Sequence, residues 1–159
     1  MTKEELMAKQ IKLAEEFFGT AQDPDQMPIN DDSRKKLDAL CSGWLDTELD
    51  EAGEPISWAV VMPTQRELAE KFLKKEITEK QLLDLTQPAK IYDALYFVSV
   101  ITVPEHRGEG LAMKVIRRAE KNMPIASDAL YFAWPTTKEG EALFEKNKKI
   151  FNRKIELRK

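Results

Sequence analysis

The sequence predicts an α/β fold: a small mixed β-sheet with helices on its faces and an unusually helical amino-terminal third. Three observations predict it. Residues 94 to 103 (ALYFVSVITV) form the longest continuous apolar run, and its β-branched and aromatic content suits a strand buried on both faces. Four Thr-x-x-Glu/Gln capping boxes, at Thr2, Thr64, Thr78 and Thr136, each precede an apolar stripe with helical spacing. Beyond residue 94 the signals alternate strand, helix, strand, helix, strand, the rhythm of α/β units.

Taken in order, Thr2 with Glu5 starts a helix whose stripe runs through Leu6, Met7, Ile11, Ala14, Phe17 and Phe18 and ends near Gly19. Thr20 to Asp32, with Pro24 and Pro28, reads as a loop. Ser33 caps a second helix that buries Leu37, Leu40, Cys41, Trp44 and Leu45, so Cys41 reads as core in preference to a nucleophile. A turn at Glu51 to Pro55 leads into a strand from Ile56 to Met62, closed by Pro63. The boxes Thr64/Glu67 and Thr78/Gln81 open two helices that turn Leu68, Phe72 and Leu73, then Leu82 and Leu83, inward. After the strand Ala94 to Val103, Gly110 to Asn122 is helical. Its Leu111, Val115, Ile116 and Ala119 face inward and its Lys114, Arg117, Arg118 and Lys121 outward. Ala129 to Trp134 is a second buried strand, Thr136 with Glu139 caps a helix through Leu143 and Phe144, and Ile150 to Leu157 is a basic edge strand.

The 159 residues suit a single domain spanning 1–159, and 42% hydrophobic with 33% charged residues suits a soluble globular chain. No apolar run approaches the ~18 to 20 residues of a membrane span, and Thr2-Lys3-Glu4-Glu5 does not open a secretory signal. One cysteine, Cys41, leaves no internal disulfide and fits a reducing compartment; the expected location is cytoplasmic. With one histidine, His106, no histidine-built metal site is expected. Residues 1–55 hold 6 Lys/Arg against 14 Asp/Glu, a balance of −8, whereas residues 56–159 hold 19 against 14, a balance of +5. Both halves can be simple solvated surface; alternatively the basic part draws a polyphosphate and the acidic part a cationic substrate. A pI near 5.4 and no basic stripe interleaved with aromatics count against nucleic acid.

The informative segment is residues 100 to 112 (VITVPEHRGEGLA). A buried strand ends at Val103, Pro104 closes its ladder, and Gly108 and Gly110, two of six glycines, stand where a helix begins. Glycine there admits positive φ and a ligand approaching the backbone. The unpartnered first amides of the helix and its dipole favour an anion, phosphate above all. On this ground alone, an anion site and a plain strand-to-helix turn fit equally well. No Gly-Lys-Ser/Thr follows as in a P-loop, and Met113 stands where a dinucleotide fingerprint has its third glycine.

Arg107-Gly108-Glu109-Gly110-Leu111-Ala112 resembles the Arg/Gln-x-x-Gly-x-Gly/Ala signature of the GNAT superfamily of N-acetyltransferases. Val103-Pro104-Glu105 is similar to the strand end before that signature, and residues 137 to 146 (TKEGEALFEK) to the family's later helix. The likeness covers residues 94–157, about 40% of the chain. It implies a GNAT-like sheet and transfer of an acetyl group from acetyl-CoA to a primary amine on a small molecule or peptide, by direct attack. Ile101, Thr102 and Val103 would offer backbone groups to the pantetheine arm, which lies in a slot between the splayed strands Ala94 to Val103 and Ala129 to Trp134. Amides from Gly108 through Glu109, Gly110 and Leu111 to Ala112 would hold the pyrophosphate, with Arg107 shaping the turn and Thr137 reaching the cofactor. An amide of strand Ala94 to Val103 would stabilise the oxyanion, a contribution of about 3 kcal/mol in measured oxyanion holes. No membrane or nucleic-acid partner is implied, and a homodimer is compatible.

The chain also departs from that pattern. Phe144 stands where many members have a tyrosine that protonates the leaving thiolate, which keeps a non-catalytic acyl-CoA-binding module as the alternative. No catalytic residue is assigned: the strand Ala94 to Val103 has no carboxylate, and Tyr96, Ser99, Tyr131 and His106 are weak candidates for the base. Trp58, Tyr92 and Trp134 suit a substrate pocket or the core. Upstream, where the family has antiparallel strands, residues 64 to 86 read as two helices.

Overall fold

The computed structural model describes residues 1–18, 26–135, 137–147 and 153–159. Its elements are α1 (Lys3–Phe18), α2 (Asp31–Leu40), β1 (Leu45–Leu49), β2 (Pro55–Thr64), α3 (Arg66–Leu73) and α4 (Glu79–Leu85). There follow β3 (Tyr92–Thr102), α5 (Leu111–Lys121), β4 (Ile125–Ala133), α6 (Lys138–Asn147) and β5 (Ile155–Leu157). The five strands form one mixed sheet in the order β1-β2-β3-β4-β5. The β1/β2 and β2/β3 pairs are antiparallel, and β3/β4 and β4/β5 are parallel. The long apolar run is therefore the central strand.

Alternating side chains of the strands feed two cores. Toward α1 to α4 point Val60, Met62, Tyr96 and Phe132, packed on Leu37, Phe72 and Leu82. Toward α5 and α6 point Val61, Leu95, Phe97 and Tyr131, packed on Val115, Ile116 and Ala119. Burying a side chain of this kind stabilises by about 1.5–3 kcal/mol. Because both faces are covered by helices, β3 reads as continuous apolar sequence rather than as an alternation.

Two of the capping boxes form as expected. Thr2 exchanges hydrogen bonds with Glu5, and Thr78 with Gln81. The Thr64 box and the Ser33 cap are corrected. Thr64 remains in β2, where its hydroxyl meets Thr86 Oγ1 at 2.6 Å, and the Arg66 amide is instead capped by Asp93 Oδ1 at 2.7 Å. Asn30, not Ser33, caps α2; Ser33 is the reciprocal partner three residues on. Thr136 and residues 148–152 lie outside the described residues, as do Gly19 and the side chains of Phe17 and Phe18; Thr137 caps α6 by accepting the Gly140 amide at 3.0 Å.

The amino-terminal third is less helical than expected. Cys41 takes an extended conformation and ends α2, so Trp44 and Leu45 leave the helix and Leu45 opens β1. That strand is only half-buried, because Asp46 and Glu48 point at Arg118 and Lys114 of α5. Cys41 is half-buried against the core under α5. Pro63 does not close β2. The Val61 amide bonds Trp44 O, so every second residue faces β1, and at Pro63 the β1 strand has already ended. Its missing N–H costs no ladder bond. β4 begins at Ile125, earlier than its apolar run, while the described part of β5 is only Ile155–Leu157. No described helix is long and apolar enough to cross a membrane.

Candidate functional site: a slot beside the central strand

β3 and β4 pair from Tyr92 and Ile125 as far as the rung Phe97–Ala133. There β4 ends, and Trp134 and Pro135 turn away; proline offers no amide to extend the ladder. β3 runs on for five residues, Val98 to Thr102, paired only to β2. At the same level the β2/β3 register shifts: Val60 faces Ser99 and Val61 faces Phe97, so Val98 is a bulge with no opposite residue. Bulges bend a strand and increase its twist. The central strand thus leaves its parallel neighbour and keeps an open edge.

A cavity of about 740 Å³ fills the gap, within the usual range for small-molecule sites. Its walls are Phe97 to Thr102 on one side and Trp134, Pro135, Leu143 and Phe144 on the other. One end reaches the loop at Arg107, Gly108 and Gly110 and the first turn of α5. The other end passes to the opposite face of the sheet and meets Ala14, Met27, Ile29 and Glu79.

At the loop end, Pro104–His106 forms a single 3-10 turn, and the chain then reverses through Gly108 (φ +87°) and Gly110 (φ +77°). Both are left-handed conformations that side chains disfavour, and a Cβ at either would meet nothing within 4 Å. Backbone geometry, rather than crowding by the protein, requires the glycines. Gly110 is the N-cap of α5 and has no side chain to satisfy the first-turn amides. Arg107 Nε donates to Thr102 O at 3.3 Å, tying the loop to the strand end. Glu109 lies away from the cavity wall, its carboxylate 3.1 Å from His106 Nδ1.

Of the ten expected cofactor contacts, Ile101, Thr102, Arg107, Gly108, Gly110, Leu111, Ala112 and Thr137 line this cavity, and Val103 and Glu109 do not. The strand residues divide by the direction of their backbone groups. Val103 donates its amide to Ile56 O at 3.0 Å, so by antiparallel alternation Ile101 and Val103 turn their backbone groups toward β2. The groups facing the open edge belong to Val100 and Thr102.

The candidate base and pocket residues separate clearly. Tyr131 donates to Glu120 at 2.7 Å on the α5 side and is no part of the cavity; burial, then that carboxylate, raises its pKa. Tyr92 is a core residue whose hydroxyl donates to Leu40 O. Phe144 is buried, packs 5.9 Å from Phe97 and forms part of the wall. Ser99, His106 and Trp134 do line the cavity. Tyr96 is fully buried, and its hydroxyl donates to Glu79 Oε2; burial, then the Glu79 charge, holds its pKa well above the ordinary tyrosine value.

Glu79 is the residue that sequence reasoning missed. It follows the N-cap of α4, a position that reads as a solvated acid favouring the helix dipole. Here it is only 6% exposed and lines the far end of the cavity. Its Oε1 also accepts the Met27 amide at 2.6 Å. No spacing rule places it there, because the contact joins residues 52 and 17 positions apart. Comparison of the chain with protein-family models, with curated proteins and with solved structures finds no match.

Proposed function

We propose that this protein is an acyl-CoA-dependent N-acetyltransferase with a GNAT-like fold, taking acetyl-CoA as cosubstrate and a primary amine on a small molecule or peptide as acceptor. The observation that carries the reading is the cavity along the open edge of β3. It joins an extended backbone edge, suited to an amide-bearing arm, to an uncapped helix start beyond two positive-φ glycines. The resemblance of Arg107 to Ala112 to the family's signature supplies the identity of the anion. Under this reading, the Val100 and Thr102 backbone groups hold the arm, and the amides of Gly108 to Ala112 hold the pyrophosphate. Thr137 reaches the arm from α6. The Val98 bulge brings irregular backbone to the level where the sheet opens, the place for an amide that steadies the oxyanion.

Phe144 favours a second reading, a binding module that holds acyl-CoA without transferring the acyl group, since its ring has no hydroxyl with which to protonate a thiolate. A thiol pKa of about 8.5 makes such help useful but not necessary. The two are separated by release of free thiol from acetyl-CoA across a panel of amines. Amine-dependent release identifies the enzyme; saturable CoA binding without release identifies the module. A thermal shift with ATP or NAD, and none with CoA or acetyl-CoA, would exclude both.

A further inference from the structure

The two ends of the cavity lie on opposite faces of the sheet and differ in chemistry. The loop end presents amides, while the far end presents the buried carboxylate of Glu79 beside Gln26 and the apolar side chains of Ala14, Met27 and Ile29. Those three belong to the first 55 residues, whose balance is −8. Beside them a smaller cavity of about 30 Å³, room for about one water, shares Ala14, Ile29 and Ser99 with the large one. It is lined by Gln10, which is 3% exposed; Gln10 Nε2 bonds Thr47 Oγ1, and Oε1 has no partner among the described residues. A buried acceptor of this kind calls for a donor from a ligand or a water.

We propose that this end is the acceptor site, that it takes a compact cationic amine with an apolar body, and that Glu79 is the catalytic base that receives the ammonium proton. The proposal rests on the acetyl-transfer reading above. A carboxylate offers about four lone-pair sites, so the bonds from Met27 and Tyr96 do not by themselves bar an ammonium from Glu79. In the transfer, the ammonium gives one proton to Glu79, and the freed lone pair forms the C–N bond at the thioester carbonyl. The C–S bond then breaks with its electron pair leaving on sulfur, and the second amine proton ends on the thiolate. Tyr96 is a positioning residue: its hydroxyl stays protonated and fixes the carboxylate. Arg158, whose guanidinium lies 4.4 Å from the Phe72 and Trp134 rings, is a cation that acts on the Tyr96 hydroxyl from beside β5.

The test uses the intact protein in three measurements. CoA affinity comes first; wild type that fails to bind CoA refutes the acetyl-transfer reading and this proposal with it. Next, at saturating acetyl-CoA, Glu79→Gln is expected to lower kcat/KM for cationic amines about 100-fold or more while keeping CoA affinity within about threefold. Glu79→Asp should recover part of the loss. Glu79→Gln turning over as fast as wild type overturns the proposal but not the reading beneath it. Should Glu79→Gln fail to fold, the wild-type CoA complex decides. A cationic alkylamine should bind about tenfold or more tightly than the alcohol of the same shape. Equal binding, or a preference for amines carrying a carboxylate or phosphate, overturns the proposal.

Discussion

Phe97 and Ala133 form the last rung between β3 and β4, and past that rung the central strand has a neighbour on one side only. The site follows from this pair. A parallel ladder continued for two more residues would close the slot at the Val98 bulge; Pro135 and the bulge together prevent it.

Gly110 separates backbone strain from anion binding. At φ +77° with open space around a Cβ, Gly110→Ala should cost about 1–2 kcal/mol of stability through the left-handed backbone alone, and leave CoA affinity within a few-fold. Gly110→Asp adds a negative charge at the first-turn amides, so CoA should bind at least about tenfold more weakly than to Gly110→Ala. Calorimetric titration of both variants checks this. Equal affinities would move the anion site elsewhere.

The joint between β2 and α4 is a relay of buried hydroxyls. Thr86 Oγ1 donates to Leu82 O at 2.6 Å, so Thr64 is the donor to Thr86. Thr86→Val should strand the Thr64 hydroxyl, fully buried, at a cost of about 1–3 kcal/mol, or roughly 2–4 °C of melting temperature per kcal/mol. Thr64→Val combined with Thr86→Val should recover most of it, because neither polar group is then left unpaired. A double variant as unstable as the sum of the singles would contradict the relay.

At the other edge, Lys114, 2.7 Å away, and Arg118 hold the Glu48 carboxyl below its ordinary pKa. A folded-state pKa below the unfolded one stabilises above the unfolded value, about 4.3, and the benefit fades as pH falls through the folded value. Glu48→Gln should therefore melt lower than wild type at pH 7, by an amount fitting a partly exposed pair of about 1 kcal/mol or less. The two curves should meet in acid. A gap that persists at pH 2 would point to packing instead of charge.

The parts of the fold legible in the sequence are those where local pattern and tertiary burial agree. β3 carries a long apolar run and α5 an apolar face at helical spacing, and Gly108 and Gly110 mark a backbone requirement that the structure bears out as positive φ. Where a contact from a distant segment decides the outcome, the pattern misleads. Leu45 continues the spacing of α2, yet Asp46 and Glu48 find cations on α5, and pairing with β2 makes the segment a strand. Thr64 and Glu67 spell a cap, yet Thr86 and Asp93 take over the bonds. Glu79 spells a solvated acid, yet Tyr96 and Met27 enclose it at the cavity. The loop end of the cavity is therefore legible in the sequence, and the Glu79 end is not.

Titration of acetyl-CoA into the wild-type protein by calorimetry bears most directly on the central claim. The slot beside β3 predicts saturable binding of one acetyl-CoA per chain, weakened at least about tenfold by Gly110→Asp relative to Gly110→Ala. A titration with no binding heat at several temperatures, with no thermal shift from CoA or acetyl-CoA, would contradict it.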